Sequence, residues 1–234
     1  AAGDSRGRRP RAPSPASLGI TMKVPTTARV NAPNDAAAKP SAPTPRRLAA
    51  LLLGLSMACS GCSPEQGAPA ARDLFGEIHR PTKPRGDAIH VLIFTSCECP
   101  IANAYAPTLG ALQGAWDAEP RVRLYLVHVD PDLTVEGARQ HAADYALPGT
   151  ILLDPAHRVA AACGATITPE AVVLSSQGQT YRGRIDDQWR ALGSRAAVAS
   201  THDLATAVRQ TLAGERVSEP HPAAIGCLLP APRR

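Results

Sequence analysis

From residue 88 onward the apolar residues fall into short runs, and the period of each run predicts an element. AIHVLIFTS (88–96) is almost continuously apolar, as expected of a strand covered on both faces in a parallel sheet. The run stops at Cys97-Glu98-Cys99-Pro100, and the period then changes. Ile101, Tyr105, Leu109 and Leu112 recur at spacings of four, four and three, which is a helix stripe. Pro100 suits the first turn of that helix, where its missing N–H is not needed, and Pro107 predicts a kink near the second turn. RVRLYLVHVD (121–130) is a second buried strand. LTVEGARQHAADY (133–145) reads as a helix with Thr134 as its N-cap and Glu136 in its first turn. A short apolar run, TILLD (150–154), precedes a short helix, AHRVAAAC (156–163). AVVLSSQGQTYRGRID (171–186) gives two strands joined at a polar turn. THDLATAVRQTLAG (201–214) closes the series as a helix with Leu204, Val208 and Leu212 on its stripe and Gly214 at its end. Helices alternate with the first strands and an antiparallel pair follows, so the expected class is α/β with three layers. The span 88–218 is of a size that supports one core.

The flanks follow a different pattern. Residues 1–47 are rich in Pro, Ala, Arg, Ser and Thr, and such a segment buries too little to offset its chain entropy, so a disordered leader is expected. Met22 is a candidate translation start. At 48–62 a short leucine-rich run follows Arg46-Arg47 and ends in two cysteines, the layout of a bacterial secretory signal. Cys59 and Cys62 are the candidate lipid attachment points, which predicts the periplasm or cell envelope and a lipid anchor in the membrane. Residues 63–87 hold Pro64, Pro69, Pro81 and Pro84 and read as a linker, and 219–234 reads as a Cys-containing tail. The leader carries nine basic and two acidic residues, while the remainder carries sixteen and eighteen. The net charge of +5 therefore belongs to the leader, and no folded basic surface points to nucleic acid.

The candidate chemistry lies in the cysteines. Cys99 stands at a helix N-terminus, where unpaired N–H groups stabilise a thiolate, although Glu98 opposes this if it faces the sulfur. A Cys97–Cys99 disulfide closes a tight, easily reduced ring. Cys163 is six residues before Pro169 and reads either as a neighbour of the site or as an apolar helix-end residue. Cys227 sits in a Pro-bounded tail and is either a mobile resolving thiol or half of a fixed disulfide. Cys97 and Cys99 with His128, His157 or His90 offer soft ligands for Cu(I). Arg184 either stabilises an anion or pairs with Asp187. No nucleotide loop, Ser/His/Asp arrangement or close pair of acids is evident.

Four segments, CPIANAYAP (99–107), ITPEAVVLSSQG (167–178), YRGRIDD (181–187) and Gly226-Cys227, occur in this order. Together with the element order they resemble the thioredoxin superfamily, in its redoxin or peroxiredoxin-like branch of exported bacterial proteins. The resemblance implies a three-layer α/β/α sandwich with a central mixed β-sheet. It makes Cys99 the reactive cysteine, with Ala102 standing where thioredoxins carry their second one. Ser96 holds the position from which peroxiredoxins offer a threonine hydroxyl to peroxide, and Pro169 matches the cis-proline that faces the active cysteine. The implied activity is thiol redox chemistry in the envelope, antioxidant or disulfide-directed. Cys99 attacks a protein disulfide or a peroxide, Cys97 or Cys227 resolves the intermediate, and an envelope protein donates electrons, with no cofactor. Two other readings stand beside it. Copper-delivery proteins of the same fold use two more widely spaced cysteines and a distal histidine, and a non-catalytic envelope interaction module would merely keep the fold.

Overall fold

The computed structural model describes residues 67–232, and it begins with two strands inside the stretch expected to be a linker. β1 (Ala71–Asp73) and β2 (Ile78–His79) pair antiparallel around a turn in which Asp73 accepts the N–H groups of Phe75 and Glu77 at 2.9 and 2.8 Å. Strands of three and two residues are too short to show a period, so the prolines around them dominated the reading. The linker boundary at 87 is therefore corrected: part of 63–87 is sheet. The leader and signal segments, with Met22, Cys59 and Cys62, lie outside the described residues.

The predicted elements follow in order. β3 (Ile89–Thr95) leads into α1 (Pro100–Ala104) and α2 (Ala106–Trp116), which are separated at Tyr105. The break lies where Pro107 predicted it, and the Tyr105 N–H turns to the Ala102 carbonyl at 3.1 Å. β4 (Val122–His128) precedes α3 (Val135–Asp144), whose Thr134 cap accepts the Gly137 N–H at 3.0 Å. β5 (Thr150–Leu153), α4 (Arg158–Cys163), β6 (Ile167–Thr168), β7 (Glu170–Ser175) and β8 (Gly178–Gly183) come next. A small hairpin, β9 (Trp189–Ala191) with β10 (Ser194–Arg195), precedes α5 (Asp203–Leu212) and the tail strand β11 (Cys227–Leu228).

The main sheet runs β2-β1-β5-β4-β3-β7-β8. β3, β4 and β5 are parallel, whereas β7 lies antiparallel between β3 and β8. Alternate residues of the central strands enter two cores. Val91, Ile93, Leu124 and Leu126 meet α1, α2 and α5, and Leu92, Phe94, Tyr125 and Val127 meet α4. Each such fully buried Val, Leu, Ile or Phe contributes roughly 1.5–3 kcal/mol. Both faces of the sheet are covered, which explains the unbroken apolar run at 88–96. Among the described residues, no helix is long and apolar enough to cross a membrane.

The tail is tied to the domain along its length. Arg182 and Arg184 donate N–H groups to Pro220 and Pro222 at 2.9 and 3.3 Å, and β11 then pairs antiparallel with β6. Both contacts need glycine. A Cβ at Gly183 would lie 2.2 Å from the Pro222 carbonyl, and one at Gly226 would lie 2.0 Å from that of Thr168. The boundary at 218 therefore also moves outward, because the tail completes the domain.

Candidate active site

β3 ends at Thr95, and the chain turns sharply through Ser96–Cys99, with the Cys99 N–H on the Ser96 carbonyl at 3.2 Å. Asp130, just beyond β4, holds this turn. It accepts the Ser96 hydroxyl at 2.5 Å and the Cys97 N–H at 3.1 Å, while the Ser96 oxygen accepts the Glu98 N–H at 3.3 Å. The turn sends the two cysteines to different partners. Cys99 becomes the N-cap of α1, with Sγ 3.4 Å from the Ala102 N–H and 3.0 Å from the Thr168 carbonyl. Cys97 instead places Sγ 3.7 Å from Nδ1 of the fully buried His128. Glu98 is exposed to solvent.

Thr168 precedes Pro169, and the bond between them is cis. β6 and β11 pair at Thr168 and Cys227, so the tail cysteine is set over the same end of the sheet. Cys227 packs against the same core cluster as Cys99, and all four described cysteines are free. Thus a cysteine at the start of α1 faces the residue before a cis-proline, on a parallel β3-β4 unit closed by an antiparallel β7-β8 pair and α5. The fold is thioredoxin-like.

Comparison with solved structures agrees on the fold. The thioredoxin-like domain is similar to an uncharacterized conserved protein from Geobacillus kaustophilus, with 23% identity, TM-score 0.59, and 70% of this chain and 89% of that one covered. It is also similar to a hypothetical protein from Sinorhizobium meliloti 1021, with 21% identity, TM-score 0.56, and 69% and 89% covered. A secreted Mycobacterium tuberculosis disulfide oxidoreductase matches at 19% identity and TM-score 0.44 over 63% of this chain and 96% of that one, too distant to carry an argument. No family model and no curated protein matches the sequence.

Electrostatics separate the thiols. Burial raises the Cys99 pKa, but polar groups of Thr168, Cys227 and Ala102 outweigh it, and the balance falls below the ordinary thiol value. Burial, together with the neighbouring Cys99, pushes Cys227 up to about 11. Cys99 is thus the more acidic of the two thiols. Burial and the Asp130 carboxylate push Cys97 up to about 12. Cys163 rises to about 12 through burial in the α4 core, on the other face of the sheet from Cys99. Its reading as an apolar helix-end residue is the one the structure bears out.

Other sequence candidates find different partners. The single Ser96 proton is committed to Asp130, so its hydroxyl builds the turn. The Cu(I) set of Cys97 and Cys99 with His90 or His157 does not assemble: His90 is bonded to the Pro81 carbonyl at 2.8 Å and His157 to the Val129 carbonyl at 2.7 Å. Arg184 pairs with Asp203 at 3.0 Å, while Asp187 accepts the N–H groups of Ser200 and Thr201. The tail cysteine is held by backbone pairing instead of hanging free. Sequence reasoning missed Asp130 as the residue that shapes the turn, Asn103, and His141. The signal for His141 was its place three residues after Ala138 on the buried stripe of α3.

A cavity of about 590 Å³ opens beside the pair, lined by Cys97, Cys99, Asp130, Thr168, Cys227 and Leu228 among others. Cys99 itself is 1% exposed, because β11 covers it.

Proposed function

We propose that the protein carries out thiol–disulfide exchange, with Cys99 as nucleophile and Cys227 as the resolving cysteine. The observation that carries the reading is the β11–β6 pairing at Cys227 and Thr168, which sets Cys227 beside the cavity where Cys99 meets the Thr168 carbonyl. The Cys99 thiolate attacks one sulfur of a protein disulfide, forming a mixed disulfide and releasing the other sulfur as a thiolate. Cys227, deprotonated as it attacks, then displaces the remaining substrate sulfur from Cys99. The substrate disulfide leaves as two thiols, and the protein is left with a Cys99–Cys227 disulfide, two electrons having passed to the substrate. Thr168 forms one wall of the approach, with Pro169 next to it in the chain, and the two-residue β11 ladder is the contact that opens to admit a substrate. Cys97 is set aside as resolver because its sulfur sits on His128. Peroxide is the weaker substrate, because Ser96 has no proton free to donate to it.

The basic pair Arg46-Arg47, the apolar run and the cysteines Cys59 and Cys62 support an envelope location with a lipid anchor and an envelope electron donor. Fractionation with lipid labelling tests that part separately. For the chemistry, Cys227→Ser mixed with a disulfide-bonded protein should accumulate a mixed disulfide at Cys99. Wild type should pass through it, and Cys99→Ser should form none. Exchange that persists in Cys99→Ser would overturn the proposal.

A further inference from the structure

Cys97, His128 and His141 form a second cluster on the far side of the turn from Cys99. The Cys97 sulfur and one ring nitrogen of each histidine lie within 4.8 Å of one another. The two imidazoles meet edge to face, with centroids 5.1 Å apart. One nitrogen of each ring is held by an acceptor. The Asp130 carboxylate lies 3.4 Å from His128 Nδ1, and Asn103 Oδ1 lies 2.9 Å from His141 Nε2. The Cys97 sulfur lies 3.7 Å from the same His128 Nδ1, so this is the ring nitrogen that faces the thiol. Asn103 spends its amide N–H on the Cys97 carbonyl at 2.9 Å, which orients its oxygen toward His141 and places that proton on Nε2. His141 Nδ1 then presents a bare lone pair, buried with no hydrogen-bond partner. His128 is fully buried and His141 is 8% exposed.

Leaving such an acceptor unmet is costly. Next to a thiol, a cation shared by Cys97 and both imidazoles removes that cost. Around His141 the outer arrangement is also that of a metal site, in which an amide oxygen fixes the second nitrogen of a ligating histidine.

We propose that Cys97, His128 and His141 bind one closed-shell ion of the zinc(II) or copper(I) class, apart from the Cys99–Cys227 pair. One thiolate and two imidazoles are borderline-to-soft donors that suit these ions and not magnesium or calcium. Binding releases the Cys97 thiol proton to solvent. Cys97 lines the cavity, which supplies the entry path.

The test is an anaerobic titration of the reduced full chain with Zn(II) and, in a separate arm, Cu(I), each against a chromophoric competitor. Wild type and Cys99→Ser/Cys227→Ser should each hold one equivalent of one of the two ions, and the arm that binds identifies it. Cys97→Ser, a change at a half-buried position, should lose that equivalent. Asn103→Ala, which removes the oxygen that orients His141 and the N–H on the Cys97 carbonyl, should weaken it by about 10- to 100-fold. X-ray absorption of the loaded double variant should read one sulfur and two imidazoles, and circular dichroism confirms that each variant is folded. Failure of both ions to bind the double variant would overturn the proposal. So would binding unchanged in folded Cys97→Ser, or a shell of sulfur alone.

Discussion

Replacing Gly226 with alanine should separate the two halves of the proposed redox cycle. A Cβ there would lie 2.0 Å from the Thr168 carbonyl oxygen, 2.7 Å from its carbon and 2.9 Å from Ile167 Cγ2. Two of these three atoms are backbone, so no rotamer change relieves the clash. Carbon–oxygen contacts settle at about 3.3–3.6 Å, so the tail must retreat by roughly 1.3 Å. That displacement is enough to break the β11–β6 pairing and to pull Cys227 away from Cys99. Forced overpacking of this kind costs about 1–3 kcal/mol, and here the cost falls on the tail, which the rest of the sheet does not need. A misplacement of about 1 Å slows a positioned reaction by about 100-fold, so closure of the Cys99–Cys227 disulfide should slow by that order. Cys99, no longer covered, should meanwhile be alkylated faster than in wild type. Quenched-flow trapping with mass spectrometry reads both rates in one experiment. Disulfide closure at the wild-type rate in a folded Gly226→Ala protein would refute the reasoning, because the tail would not be what positions Cys227.

Further predictions test individual contacts. Tyr105→Phe removes a buried hydroxyl that donates to Asp186 Oδ1 at 2.6 Å and should cost about 1.5–3 kcal/mol in denaturant unfolding, the range for a hydrogen bond to a charged group. Arg184→Ala breaks the pair with Asp203 at a partly exposed side chain, so stability should fall by no more than about 1 kcal/mol and thiol exchange should be unchanged. Cys163 has its folded pKa raised from 9.0 to about 12, so its neutral thiol favours the folded state below pH 9. The unfolded chain releases that proton first as pH rises, and stability should decline from about pH 9 toward 12. Cys163→Ala should flatten that decline in unfolding curves measured across the window.

Much of this architecture was legible because its signals are local. The run at 88–96 announced a strand buried on both faces, Thr134 announced a cap, and Pro107 announced the break at Tyr105. What escaped were features with no local period. β1 and β2 are too short to alternate, and their place on the sheet edge depends on a partner strand some eighty residues later in the chain. The site was half legible. Cys99 before Pro100 could be read from helix-terminus physics, and Gly226-Cys227 could be read only as one of the four segments that carried the resemblance. The divergence of Cys97 from Cys99 could not be read, because it depends on Asp130 gripping the turn from another strand. For the same reason, the sequence could offer His128 for Cys97 beside His90 and His157, but not His141. His128 and His141 lie thirteen positions apart on a strand and a helix, and only the β4–α3 crossover brings their rings together.

The central claim is that Cys99 and Cys227 form one redox pair, and disulfide mapping tests it most directly. Reduced full-length protein is exposed to a small-molecule disulfide, quenched in acid, alkylated and digested, and its crosslinked peptides are identified by mass spectrometry. The account predicts a Cys99–Cys227 crosslink as the main product, with Cys97 and Cys163 recovered as alkylated thiols after denaturation. A Cys97–Cys99 crosslink in its place, or Cys99 and Cys227 both recovered as free thiols, would contradict it.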